Sequence, residues 1–134
     1  MKHHAFRLTY GMDLRQGIED YCRDNDIHSA AIVTVVGCVY RARIRLADGE
    51  TIEEYDDRYE IVSLTGTVSP DGSHMHVSLA DEDGRVIGGH MCNGCLVNTT
   101  AEVVLVSLDE EYRFSREYDD STGYDELVIR KRQY

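Results

Sequence analysis

His74 and His76 lie two residues apart in Gly72-Ser73-His74-Met75-His76-Val77-Ser78, a segment in which polar and apolar residues alternate. A period of two predicts a strand, and on a strand residues i and i+2 share a face. Two imidazoles on one face are a familiar arrangement for two bonds to one metal ion, with Zn–N distances of roughly 2.0–2.1 Å. His90, in Gly88-Gly89-His90, is the natural third ligand, one hairpin away. Three neutral imidazoles suit a divalent metal, zinc first, with iron, nickel and copper accommodated by the same ligand chemistry. The competing reading is three unrelated surface histidines.

Register decides between the two. If Asp83-Gly84 is a strict two-residue turn, His90 falls opposite Val77 and faces away from His74 and His76. The three-histidine site therefore needs a β-bulge, for which Gly88-Gly89 is the easiest place, a different turn, or a ligand from a neighbouring subunit.

Two acids are candidates for the surroundings of such a site. Glu60 alternates with Val62 and Leu64, and Glu102 opens a run of Val and Leu. A carboxylate on an apolar face is costly unless it is paired or bonded. Either acid could orient a metal-bound imidazole, or take a proton from a metal-bound water in an enzyme. Cys92-Asn93-Gly94-Cys95 is a lone CxxC; no second pair completes a four-sulfur site, so two ordinary cysteines around a turn is the preferred reading. The chain has no Gly-rich phosphate loop, no nucleophile elbow and no dinucleotide fingerprint.

The elements that must position these residues are mostly strands. Phe6–Tyr10 alternates as a first strand, and Gly11 stops it. Asp13 is an N-cap, with Gln16 placed to complete a capping box. Leu14, Ile18, Tyr21 and Cys22 recur at helical spacing, giving one helix that ends near Asn25. Residues 30–46 read as two strands broken at Gly37-Cys38. Tyr59–Ser69, Ser73–Ala80 and Arg85–Met91 follow, separated by Pro70-Asp71-Gly72 and Asp83-Gly84. Ala101–Leu108 is apolar on both faces, as a central strand is; Tyr112–Tyr118 reads as its prolongation, and Leu127-Val128-Ile129 as the last strand. Many strands around one helix make an α+β fold in a single domain spanning residues 1–134.

Bulk properties bound the function. The net charge is −11, from 14 Lys and Arg against 25 Asp and Glu. That field repels nucleic-acid phosphates. No window holds ~18 consecutive apolar residues, so no membrane span is expected, and the N-terminus has no apolar run of the signal-peptide kind. Four cysteines in a chain of this size read as reduced thiols of a cytoplasmic protein. Arg41, Arg43 and Arg45 alternate with apolar residues and share a face. A hairpin turn at Asp48-Gly49 puts Arg43 opposite Glu54 and Arg41 opposite Asp56, so cross-strand ion pairs would neutralise much of the stripe.

The residues occur in a known order. Arg7, Gly11-x-Asp13-Leu14, Ile27-His28-Ser29-Ala30 and Val36-Gly37 come first. Tyr59-Glu60-Ile61-x-Ser63-Leu64-x-Gly66, Gly72-x-His74-x-His76-x-Ser78, Asp83-Gly84, Gly88-Gly89-His90 and Thr100-Ala101-Glu102-Val103 follow. Over residues 4–130 this resembles the PPC (plants and prokaryotes conserved) domain, stand-alone prokaryotic type. The resemblance implies an antiparallel β-sheet with one main α-helix that assembles as a homotrimer, with the family's histidines matching His74, His76 and His90 and its acids matching Glu60 and Glu102. In plants the domain sits beside AT-hook segments that contact DNA, and from that association comes the DNA-binding name of prokaryotic members. This chain has no Arg-Gly-Arg-Pro hook. The function expected is a trimeric binding or assembly module with a histidine-bound divalent metal; the alternative is a metal-dependent enzyme with Glu60 or Glu102 as base, and no small-molecule ligand is readable.

The charge gives a direct expectation about DNA. At about 150 mM salt, anisotropy titration with a generic duplex should show no binding tighter than roughly 1 μM, because three arginines oppose a large negative field. Sub-micromolar binding under those conditions would overturn this.

Overall fold

The computed structural model describes residues 1–133. Strand β1 (Lys2–Thr9) is followed by helix α1 (Leu14–Asp24), then by β2 (Ala30–Arg45), β3 (Ile52–Tyr55), β4 (Tyr59–Ser69), β5 (Gly72–Ala80), β6 (Val86–Met91) and β7 (Leu96–Ser107). A last hairpin, β8 (Tyr112–Asp119) and β9 (Tyr124–Lys131), closes the order. The first seven strands form one sheet in the order β1-β7-β2-β4-β5-β6, with β3 beside β2. The strand pairings are antiparallel throughout. Among the described residues, no helix is long and apolar enough to cross a membrane.

The helix forms where the spacing placed it. Asp13 caps it, accepting the Gln16 backbone N–H at 2.8 Å. The reciprocal half of the capping box is absent: the Gln16 amide donates instead to Asp20. Leu14, Ile18 and Cys22 are buried against the sheet, and Tyr21 stacks on Phe6 of β1 at 3.7 Å between centroids. Asn25 is the C-cap.

Two strand assignments change. Residues 30–45 make one strand, not two, because three register irregularities against β7 bend β2 without ending it. At the middle one, Gly37 has φ +149°, and a Cβ there would lie 2.0 Å from the Thr100 carbonyl oxygen. Glycine bends this strand by letting two backbones touch. Likewise β8 does not prolong β7. It pairs with β9 in a separate two-stranded sheet, tied back by Ser29, whose Oγ donates to the Tyr112 carbonyl and accepts the Phe114 N–H.

The bend lets β2 serve two neighbours. Ala30, Ala31, Cys38 and Val39 pair with β4, whereas Ile44 and Arg45 pair with Met91 and His90 of β6. The pairings β2-β4-β5-β6-β2 therefore close on themselves. Val39, Ile44, Met75, Leu79, Met91 and Val97, all 1% exposed or less, belong to one buried core cluster. The pair Gly88-Gly89 makes the close approach of β6 to its neighbours feasible. A Cβ on Gly88 would meet the Val77 carbonyl oxygen at 2.6 Å, and one on Gly89 (φ +156°) would meet the Arg45 carbonyl oxygen at 2.8 Å.

The contact at Gly89 is with backbone, which cannot swing aside. Gly89→Ala should therefore destabilise the fold by about 1–3 kcal/mol, as overpacking does. Urea unfolding would measure it; an unchanged midpoint would show that β6 can move away from β2.

A candidate metal centre of three histidines

The turn between β5 and β6 decides where His90 points. Asp81 N–H donates to the Arg85 carbonyl at 2.9 Å, leaving Glu82-Asp83-Gly84 as a three-residue loop with Gly84 in the left-handed region at φ +78°. Asp81 Oδ1 also accepts the Asp83 and Arg85 N–H groups, and so fixes the loop. This turn shifts the register by one residue from the two-residue turn. His90 consequently faces His76, and Gly89 faces Val77. No bulge at Gly88-Gly89 is involved: β5 and β6 pair without a register shift from Ala80 to His76.

The three imidazoles meet at the surface end of this hairpin. Ring centroids are 4.9 Å apart for His74 and His76, 5.4 Å for His74 and His90, and 5.8 Å for His76 and His90. One ring nitrogen from each lies within 4.8 Å of the others. The Nε2 atoms of His74 and His76 are 3.2 Å apart, close to the roughly 3.3 Å edge of a tetrahedron with zinc–nitrogen bonds. His90 Nδ1 is buried with no hydrogen-bond partner, a cost that a bound ligand would relieve. The donor set therefore fits a divalent metal.

Burial first, and neighbouring charge second, favours the neutral form of His74 and His90. Burial pushes the His90 pKa down to about 4, reinforced by Arg45 and by the other two histidines. The His74 pKa is also lowered, first by burial and then by His76 and Arg116. Neutral imidazole is the form that binds metal.

The carboxylates lie elsewhere in the chain. Glu60 pairs opposite Ala80, four residues along β5 from His76, which is roughly 13 Å of strand. A register shift at Val62 also changes its company: Glu60 and Val62 are exposed, while Leu64 is buried. Glu102 sits on β7 between Arg7 and Val36, and β7 does not pair with β5 or β6. Neither acid joins the histidines within one chain. The CxxC pair is separate as well. All four cysteines are free thiols; Cys95 is buried beside the Arg43 backbone, and burial raises its pKa to about 11.

The arginine stripe divides. Arg43 pairs with Glu54 at 3.3 Å, and Arg41 reaches Glu54 at 3.7 Å and Asp56 at 3.5 Å, in the register the turn implied. Arg45 makes no ion pair among the described residues. It stands beside His90 in register, so Arg45, His90 and His76 form a row across β2, β6 and β5. No residue pattern announces this row, nor the arrival of Arg116 and Tyr124, which the terminal hairpin brings to the cavity next to it.

Known proteins share this sequence and shape. A segment of the bifunctional protein GlmU of Synechococcus sp. (strain JA-3-3Ab) is 43% identical over 128 residues, covering 96% of this chain and 20% of that protein. The chain thus spans about a fifth of the length of the first curated relatives it matches. A hypothetical protein of Salmonella enterica superposes with a TM-score of 0.93 at 32% identity, covering 98% of this chain and 95% of that one. A metal-containing protein from Archaeoglobus fulgidus superposes with a TM-score of 0.82 at 33% identity, covering 96% and 94%. Two other neighbours, from Bacteroides thetaiotaomicron and Ralstonia eutropha, carry the name putative DNA-binding protein; at 20% identity they show the fold alone. The model of the Plants and Prokaryotes Conserved (PCC) domain, the PPC domain under another abbreviation, matches residues 1–109. With its histidine-bearing strands inside that match, the chain belongs to the Plants and Prokaryotes Conserved family.

Proposed function

We propose that this protein is an assembly module of its family that holds one divalent metal, most simply zinc, on His74, His76 and His90. The observation that carries the reading is the convergence of three ring nitrogens within 4.8 Å, on a hairpin whose turn and glycines serve that register. The similarity to a metal-containing protein supports it. Three protein ligands leave a fourth position on a tetrahedral ion. That position suits a ligand, and it is also what a metal-dependent enzyme would use. The module reading is preferred because neither Glu60 nor Glu102 reaches the histidines within one chain.

We place the module in a homotrimer. The family resemblance implies one, and the sheet leaves Val33, Val36 and Val62 more than half exposed, apolar side chains that association would cover. In that assembly Glu60 or Glu102 has only the orienting role, holding a metal-bound imidazole from across a subunit boundary. Four free thiols suit the reducing cytoplasm. DNA binding is not assigned to the chain alone: its charge of −11 opposes it.

Native mass spectrometry of tag-free protein tests metal and assembly together. It should return a mass of three chains carrying one metal per chain. His76→Ala should abolish metal binding, and Cys92→Ala should leave it intact. The opposite pattern would move the site to the CxxC pair, and a monomer at micromolar concentration would remove the trimer.

The lowered histidine pKa values also carry a sign for stability. In metal-free protein, His90 stays neutral in the fold while the unfolded chain takes up its proton below about pH 6.5. The unfolded state then binds more protons, so stability should fall as pH drops from about 6.5 towards 4 and lose nothing further to this group below that. Chemical denaturation across that range should show the slope, and His90→Gln should reduce it.

A further inference from the structure

We infer that the cavity beside the histidines is a binding subsite for a small oxyanion, a carboxylate or phosphate group, held by the guanidiniums of Arg45 and Arg116. The cavity encloses about 320 Å³, has His74 and His90 on one side, and takes Arg116 and Tyr124 from the terminal hairpin on the other. That volume is in the range of small-ligand sites.

The arginines decide the chemistry. Arg15, also in the lining, is already engaged: it pairs with Glu19 at 3.4 Å and donates to Ser73 and Asn93. Arg45 and Arg116 make no side-chain ion pair among the described residues. Arg45 Nε is buried without a hydrogen-bond partner, and its guanidinium lies 5.9 Å from the centre of the Tyr124 ring. Arg116 directs Nη1 at a backbone carbonyl, that of Asp125, at 3.3 Å. A planar fork with an unused donor in a partly desolvated place is built for a two-oxygen acceptor.

The acids of the lining set the position of the anion. Asp71 accepts the Arg116 backbone N–H at 2.9 Å, which leaves Asp125 and Glu126 on the β9 side. The oxyanion is therefore placed between the two guanidiniums, Arg45 beside its register partner His90 and Arg116 across the cavity. There it would also adjoin a histidine-bound metal, but the arginine subsite does not require one. Arg116 and Tyr124 lie beyond residues 1–109 that the family model matches, so this wall of the cavity is not part of that match.

Calorimetric titration of inorganic phosphate into chelator-treated protein tests the subsite. The wild type should bind it, acetate should compete, and Arg45→Gln and Arg116→Gln should each weaken binding about tenfold or more, as loss of a charge-assisted bond does. Arg116 stands on the outer hairpin, so its variant keeps the test valid if Arg45→Gln fails to fold. Added zinc should tighten phosphate binding in the wild type; in His76→Ala it should not, while metal-free affinity persists there. Phosphate binding without any zinc binding would overturn the metal reading and leave this one. Zinc binding without phosphate binding, or phosphate affinity indifferent to Arg116→Gln, would overturn this one.

Discussion

Strand register constrains everything in the candidate site. Side chains alternate across a sheet, so slipping one strand by a single residue sends each of its residues to the other face. The three-residue loop Glu82-Asp83-Gly84 sets that register for β6. With it, Met91 enters the core at 0% exposure and His90 turns outward to His76. One residue fewer in the loop would exchange the two. Core packing and site assembly are thus satisfied by the same choice, and the burial of Met91 and its neighbours holds the histidines in place.

Much of this was legible. The spacing of His74 and His76 fixed their common face, and the ion pairs of Arg41 and Arg43 followed from one hairpin turn. Asp13, Leu14, Ile18 and Cys22 defined the helix. What could not be read were the irregularities. The register shift at Val62 separates Glu60 from Leu64, and no residue type there announces it. The interruptions in β2 resemble strand ends in a sequence, because glycine serves both to stop a strand and to bring two backbones together. The loop after β5 carries the same Asp-Gly signature whether it has two residues or three. The hairpin β8–β9 looks like a continued strand because local propensity does not report which strand is the partner.

Charge shows a related division between local pattern and tertiary placement. Three arginines at period two form one stripe in sequence and two populations in the fold. Arg41 and Arg43 face the acidic strand β3, where exposed pairs contribute about 0–1 kcal/mol each. Arg45 lies past the end of those acids and beside β6. Its distinction comes from the bend of β2, which changes the strand's neighbour within a few residues.

That change of neighbour leaves a short seam. β2 and β6 are joined in register only at Ile44–Met91 and Arg45–His90, with one further backbone bond from Cys92 N–H to the Arg43 carbonyl. By contrast β4 and β5 pair along nine residues. Short ladders open locally at lower free energy than long ones. The seam is accordingly where amide hydrogen exchange in this sheet would proceed by local fluctuation, ahead of global unfolding. Because the seam runs between Arg45 and His90, any molecule gripping both sides would act as a clasp on it, and occupancy would be recorded as slower exchange along β6.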